Sequence, residues 1–244
     1  MRSSVIKKGT WLASFILAVC LCAHAEVKLP AIFSDGMVMQ QQTKANLWGT
    51  ATPNKKITVT TGWNGKQYVA TADKNGAWKL SVSTPEAGGP YFITFNDGSK
   101  KTLNNILIGE LWLCSGQSNM EMPMKGFKNQ PVENANMDIL RSKNPNIRLF
   151  TVKRTSTFTP QTDVTGTWKE ATPVNVRDFS ATAYYFGRLI NEILDVPVGL
   201  VVAAWGGSAC EAWMTADWLK AFPDAKIPQS EADIKSKNRT PTVL

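Results

Sequence analysis

The sequence predicts a β-sandwich amino-terminal domain followed by an incomplete α/β domain, and three observations carry that reading. Up to residue 104 short alternating segments are separated by Asn-Gly and Asp-Gly turns. Residues 106–114 are apolar at almost every position, as in a strand covered on both faces. Beyond them, helix-period and strand-period segments alternate.

Residues 1–25 carry Arg2, Lys7 and Lys8, then an apolar run over 11–22, then the small-x-small end Ala23-His24-Ala25. That order is a secretory signal peptide, which implies an extracytoplasmic (periplasmic or secreted) protein; twelve apolar residues are too few to span a bilayer. Leu17-Ala18-Val19-Cys20 matches a lipobox only in part, since Val19 is bulky where a small residue is needed. Without its three basic residues the formal charge falls from +8 to +5. These charges are scattered, with no basic block and no interleaved aromatics, which argues against nucleic acid as a partner. Cys114 and Cys210 are then the two remaining cysteines. Two do not make a disulfide framework, and an apolar Cys at a strand end is ordinarily packing.

Residues 26–104 read as the β-domain. Segments 57–63 and 67–72 flank Asn64-Gly65, segment 77–83 follows Asn75-Gly76, and segment 91–95 precedes Asp97-Gly98. Asn or Asp before Gly tolerates the positive φ that tight hairpins demand. Strands at about ten-residue spacing imply a small antiparallel sandwich. It serves as a rigid flank for the next domain in preference to a carbohydrate-binding module.

Residues 105–244 read as the first part of the α/β domain. The apolar run 106–114 ends in Ser115-Gly116-Gln117-Ser118-Asn119. A serine just past the carboxyl end of a parallel strand sits where open α/β sheets place their chemistry, and Gly116 permits the sharp turn that presents its hydroxyl. A short helix is expected over 134–143, a strand over 147–152, a long loop over 155–176, a helix over 180–194 and a second buried strand over 198–204. Ala183, Phe186, Ile190 and Ile193 are the expected apolar face of the longer helix. The last strand runs into Trp205-Gly206-Gly207-Ser208, where a Gly-rich turn leaves backbone N–H groups unobstructed, as an oxyanion site requires.

The stretch LWLCSGQSNMEMP, residues 111–123, closely resembles the first block of the SGNH-hydrolase esterases, in particular the sialate O-acetylesterase family of secreted carbohydrate acetylesterases. WGGSACEAW, residues 205–213, resembles that family's second block, and LPAIFSDGMVMQ, LWGTA and GGPY resemble pieces of its leading β-domain. The resemblance implies an SGNH-hydrolase-like, flavodoxin-like three-layer α/β domain with Ser118 as nucleophile. The Ser118 amide and that of Gly207 or Gly206 would be the oxyanion donors, Gly207 slightly preferred. Glu211 and Trp213 also match, although a first-turn Glu and a packed Trp have structural explanations. The substrate implied is an O-acetylated sialic acid or another acetylated glycan, with no cofactor and no metal.

The single histidine, His24, lies in the leader. A serine hydroxyl needs a base, nearly always His oriented by Asp, and the family's later Asn-bearing and D-x-x-H blocks have no match here. Only three convincing parallel strands are legible where such a sheet has about five. The expectation is therefore an inactive amino-terminal fragment of a serine esterase; the alternatives are an acetylxylan esterase and a non-catalytic glycan-binding protein. Arg148, Arg154, Arg177 and Arg188 are each able to pair a sialate carboxylate. The leader gives a direct prediction: N-terminal sequencing of the exported protein should begin at Glu26, and a mature chain that keeps residues 1–25 or starts at a lipidated Cys20 would refute it.

Overall fold

The computed structural model describes residues 26–157, 159–225, 227 and 230; the signal peptide expected at 1–25 lies outside them. Seven strands come first: β1 (Val38–Gln40), β2 (Lys44–Thr50), β3 (Lys56–Thr61), β4 (Gln67–Thr71), β5 (Ala77–Ser83), β6 (Gly88–Asn96) and β7 (Lys100–Gly116). Period-2 patterning explains them, since Ile57 and Val59 in β3, Trp78 and Val82 in β5, and Ile93 and Phe95 in β6 are all buried. These side chains form one core with Leu47 of β2 and Met37, and no helix interrupts residues 38–116.

The expected boundary at residues 104–105 falls inside β7, which crosses it without a break. The Asn104-Asn105 pair looks like a turn locally, but it is a β-bulge. Register against β6 slips by one residue between Tyr91↔Ile106 and Ile93↔Leu103, and Asn105 adopts φ 58°. One mixed sheet of eight strands therefore runs in the order β4-β3-β6-β7, then onward through β10, β8 and β9 defined below, with β1 also on β7. Asn64-Gly65 and Asp97-Gly98 close hairpins as expected, but Asn75-Gly76 does not. The strands on either side of it separate, β4 pairing with β3 and β5 with β2 in a second, two-stranded sheet. Turn chemistry sets the local reversal there, whereas burial of Trp78 and Val82 selects the partner.

After β7 come α1 (Ser118–Glu121), α2 (Ala135–Leu140), β8 (Asn144–Thr151), β9 (Trp168–Ala171), α3 (Pro173–Arg177), α4 (Ala181–Leu194) and β10 (Val198–Ala204). A 3-10 turn (Cys210–Trp213) and α5 (Ala216–Leu219) follow. β10 lies between β7 and β8 and is parallel to both. The region expected as a loop over 155–176 holds β9, which pairs antiparallel with β8, and the start of α3, capped by the Thr172 hydroxyl on the Asn175 N–H. In α4 the buried stripe is Ala181, Ala183, Tyr184 and Gly187, while Phe186 and Ile193 of the expected face are exposed. Gly187 causes the rotation: a Cβ there would stand 2.6 Å from the Leu200 side chain, so the helix lies close on β10 along that line. Beyond Gly109, β7 pairs among the described residues with β10 alone, and Trp112 and Leu113 beside that edge are exposed.

Arg148 of β8 ties the halves together. It is 3% exposed and donates to the carbonyls of Pro145 and Gly36 at 2.8 and 3.3 Å and to Asn105 Oδ1 at 3.1 Å, and it pairs with Glu170 at 3.4 Å. Arg148→Met should destabilise the chain by about 2–3 kcal/mol, because buried acceptors lose their donor while Glu170 remains solvated. Urea unfolding would read this as a lower midpoint at constant slope; a change under about 0.5 kcal/mol would show that the guanidinium contributes nothing.

Candidate active site

Parallel pairing of β7 with β10 runs in register from Glu110↔Val198 to Gly116↔Ala204, and the Trp205 N–H continues it to the Gly116 carbonyl at 3.0 Å. Both strands end at the same level, so the turns that follow them are neighbours. Gly116 takes φ 150° as the chain leaves the sheet, and Ser118 opens α1 with an exposed side chain. Gln117 crosses to the other turn, its Nε2 donating to the Ser208 carbonyl at 3.0 Å.

The structure brings Ser118 and Gly206 together. A Cβ built on Gly206 would fall 3.3 Å from Ser118 Oγ and 2.6 Å from Glu121 Oε2, so only glycine fits there without displacing a site side chain. Gly207 is exposed at φ 78°, a conformation suited to glycine, with open space where a side chain would project. Ser208 is buried and braces the turn: its hydroxyl donates to the Trp205 carbonyl at 2.7 Å and accepts from Trp213 Nε1 at 2.9 Å. That contact accounts for Trp213 structurally. Glu211 is exposed in the 3-10 turn, within 3.6 Å of Cys210 Sγ.

One residue that the sequence reading missed, Glu121, joins this cluster, together with Arg154 of the four candidate arginines. Glu121 accepts the Gly206 N–H on Oε2 and pairs through Oε1 with Arg154, whose guanidinium lies 5.9 Å from the Trp205 ring centroid. Glu121 follows Ser118 by three residues, one helical turn, and this spacing is the only trace of its role in the sequence. The other three candidate arginines lie elsewhere. Arg148 is buried as described, Arg177 pairs with Asp178 at 3.6 Å, and Arg188 pairs with Asp138 at 2.9 Å. Asp138 also accepts from the Tyr185 hydroxyl at 2.7 Å; that bond and the one from Arg188 hold its carboxyl below the usual range. This network locks α2 to α4 and does not reach Ser118.

Beside the two turns is a cavity of about 420 Å³ whose wall includes Arg154, Thr155, Thr157, Ala204, Trp205 and Trp213. Cys114 and Cys210 are both free thiols, and burial pushes the Cys114 thiol up. Among the described residues no cluster of three or more His, Cys, Asp or Glu is placed to hold a metal, and no helix is long and apolar enough to cross a membrane. His24 lies outside the described residues.

Comparison with known proteins gives this arrangement its context. Sialate O-acetylesterase of Mus musculus is 29% identical over 225 residues, covering 84% of this chain and 41% of the relative. That of Pongo abelii is 27% identical over 212 residues, covering 80% of this chain and 40% of the relative. The chain thus spans about 40% of the length of these curated relatives. Among solved structures, a carbohydrate acetylesterase from Xanthomonas citri superposes with a TM-score of 0.74 at 34% identity, over 83% of this chain and 46% of that one. Residues 108–233, more than half of the chain and inclusive of both turns, match the family model for carbohydrate esterase, sialic acid-specific acetylesterase. The chain belongs to this sialic acid-specific acetylesterase family of carbohydrate esterases.

Proposed function

We propose that the chain carries the nucleophile and the first oxyanion donors of an extracytoplasmic serine esterase that removes O-acetyl groups from sugars, sialic acids foremost. The observation that carries this is the meeting of Ser118 Oγ with the Gly206-Gly207 turn at the shared ends of β7 and β10. Ser118 Oγ attacks the acetyl carbonyl carbon, its proton passes to a general base, and the carbonyl π pair moves onto oxygen. The Ser118 N–H, first in its helix and so without an intrahelical acceptor, and the Gly207 N–H donate to that oxyanion. Gly207 is preferred over Gly206 because the Gly206 N–H is already engaged by Glu121. Collapse re-forms the acetyl C=O and expels the sugar oxygen, which takes the proton from the base and leaves as a hydroxyl, and water then hydrolyses the acetyl-enzyme by the same route.

Residues 26–244 contain no histidine. The base and its orienting carboxylate are therefore supplied by polypeptide outside them, and residues 26–244 alone constitute an inactive piece. In this reading β7, β10 and β8 are the first strands of an SGNH-type layer braced by the β-sandwich, and the one-sided part of β7 is where further strands would pair. The absence of histidine also supports a second reading, in which the chain is a non-catalytic glycan-binding protein.

Activity measurements separate these readings. Residues 26–244 should hydrolyse an activated acetyl ester negligibly, whereas a polypeptide that also carries the base should deacetylate O-acetylsialic acid. Ser118→Ala should then lower kcat by at least about 10³-fold. Activity that survives Ser118→Ala would exclude this nucleophile, and Ser118-dependent activity from residues 26–244 alone would mean that another group acts as base. Faster turnover of acetylated xylan than of O-acetylsialic acid would move the substrate to the xylan class. Glycan binding without hydrolysis in every form would establish the second reading.

A further inference from the structure

We propose that Glu121 is the positioning residue of the oxyanion turn, with Arg154 as its counter-charge; the proposal rests on the esterase reading above. Glu121 is one helical turn beyond Ser118, and its N–H donates to the Gln117 carbonyl at 2.9 Å, so its backbone moves with the nucleophile. Its carboxylate leaves that element and takes the N–H of Gly206 on the neighbouring one. The side chain is only 18% exposed, so this charge-assisted bond is shielded from competing water. Glu121 thereby links the nucleophile's element to the element that carries the oxyanion donor. It also engages the Gly206 N–H, which leaves the next amide, that of Gly207, as the donor available to the oxyanion.

A carboxylate in this place carries an electrostatic cost. Negative charge develops on the substrate oxygen in the transition state, and an unpaired carboxylate beside Gly206 would oppose it in a site of reduced dielectric. Arg154 cancels that charge. Its guanidinium meets the other carboxylate oxygen and lies over the Trp205 ring, on the residue that precedes the two glycines. The pair therefore orients the turn without adding net charge. This arrangement also removes Arg154 from the arginines free to bind a substrate carboxylate, since its charge is already spent on Glu121.

The test uses Glu121→Ala, Glu121→Gln, Arg154→Met and the double variant Glu121→Gln/Arg154→Met in the esterase-active form that carries the base. Glu121→Ala should lower kcat by about 10- to 100-fold with KM within about twofold, the signature of a misplaced oxyanion donor. Glu121→Gln should stay within about fivefold of the parent kcat, because the amide oxygen still accepts the Gly206 N–H. Arg154→Met should lose more than the double variant, since only the single variant leaves a carboxylate without its counter-ion. A second readout does not depend on turnover: in the ¹⁵N-labelled full chain the Gly206 amide proton should resonate downfield and move upfield in Glu121→Ala. Parent-like kcat in Glu121→Ala, an unmoved Gly206 amide, or a double variant slower than Arg154→Met would each overturn the proposal. Should Glu121→Ala fail to fold, Glu121→Gln and the two Arg154 variants decide it. Failure of the nucleophile assignment is distinct, since activity would then survive Ser118→Ala whatever the Gly206 amide does.

Discussion

Parallel pairing of β7 with β10, in register to the last residue of each, is the constraint on which the rest of this molecule depends. Seven consecutive pairs bring the chain after Gly116 and the chain after Ala204 to one level, and this alone makes neighbours of residues some ninety positions apart. Two glycines permit the close approach at the start of the ladder. A Cβ on Gly109 would lie 2.0 Å from the Pro197 carbonyl oxygen, and one on Gly199 would lie 2.7 Å from Val38 Cβ. Side chains at either position would push β10 away from β7 or shift its register, and a one-residue slip would turn every side chain of the strand to the other face.

The elements around this pair hold it from three sides. β6 and β1 clasp the first half of β7, β8 backs β10, and α4 lies on β10 through Gly187. Arg148 then carries the bracing across the sheet, joining the 36–37 turn, the β7 bulge at Asn105 and the β9 edge. The amino-terminal strands are thus continuous with the sheet that bears the site, and the site is built on rigid strand ends rather than on a free loop. Preorganisation of that kind is what the proposed serine nucleophile and amide donor would require, because neither could reorganise as charge develops.

Several buried and half-buried charges in this molecule are paired. Glu121 and Arg154 neutralise each other beside Ser118, and Asp138 and Arg188 do so between α2 and α4.

Much of this was legible before any coordinate was known. Residues 198–204 read as a buried strand because they are uniformly apolar, residues 77–83 read as a strand by alternation, and Ser180 announces the start of α4; each depends on neighbours within one or two turns of chain. The β7 bulge, the separation of β4 from β5, and the rotated face of α4 were not legible. Each is decided by a partner far away in sequence: β6 and Arg148, the β2 strand, and Leu200 respectively. The same division holds at the site. Sequence by itself determined the family, because Gly116-Gln117-Ser118-Asn119 and Trp205-Gly206-Gly207-Ser208 need only their own residues to be recognised. Tertiary structure alone decided that Glu121 reaches Gly206, that Arg154 answers Glu121, and that Arg148 is sealed in the interior, because hydrogen bonds and ion pairs act over a few ångströms of space and are indifferent to distance along the chain.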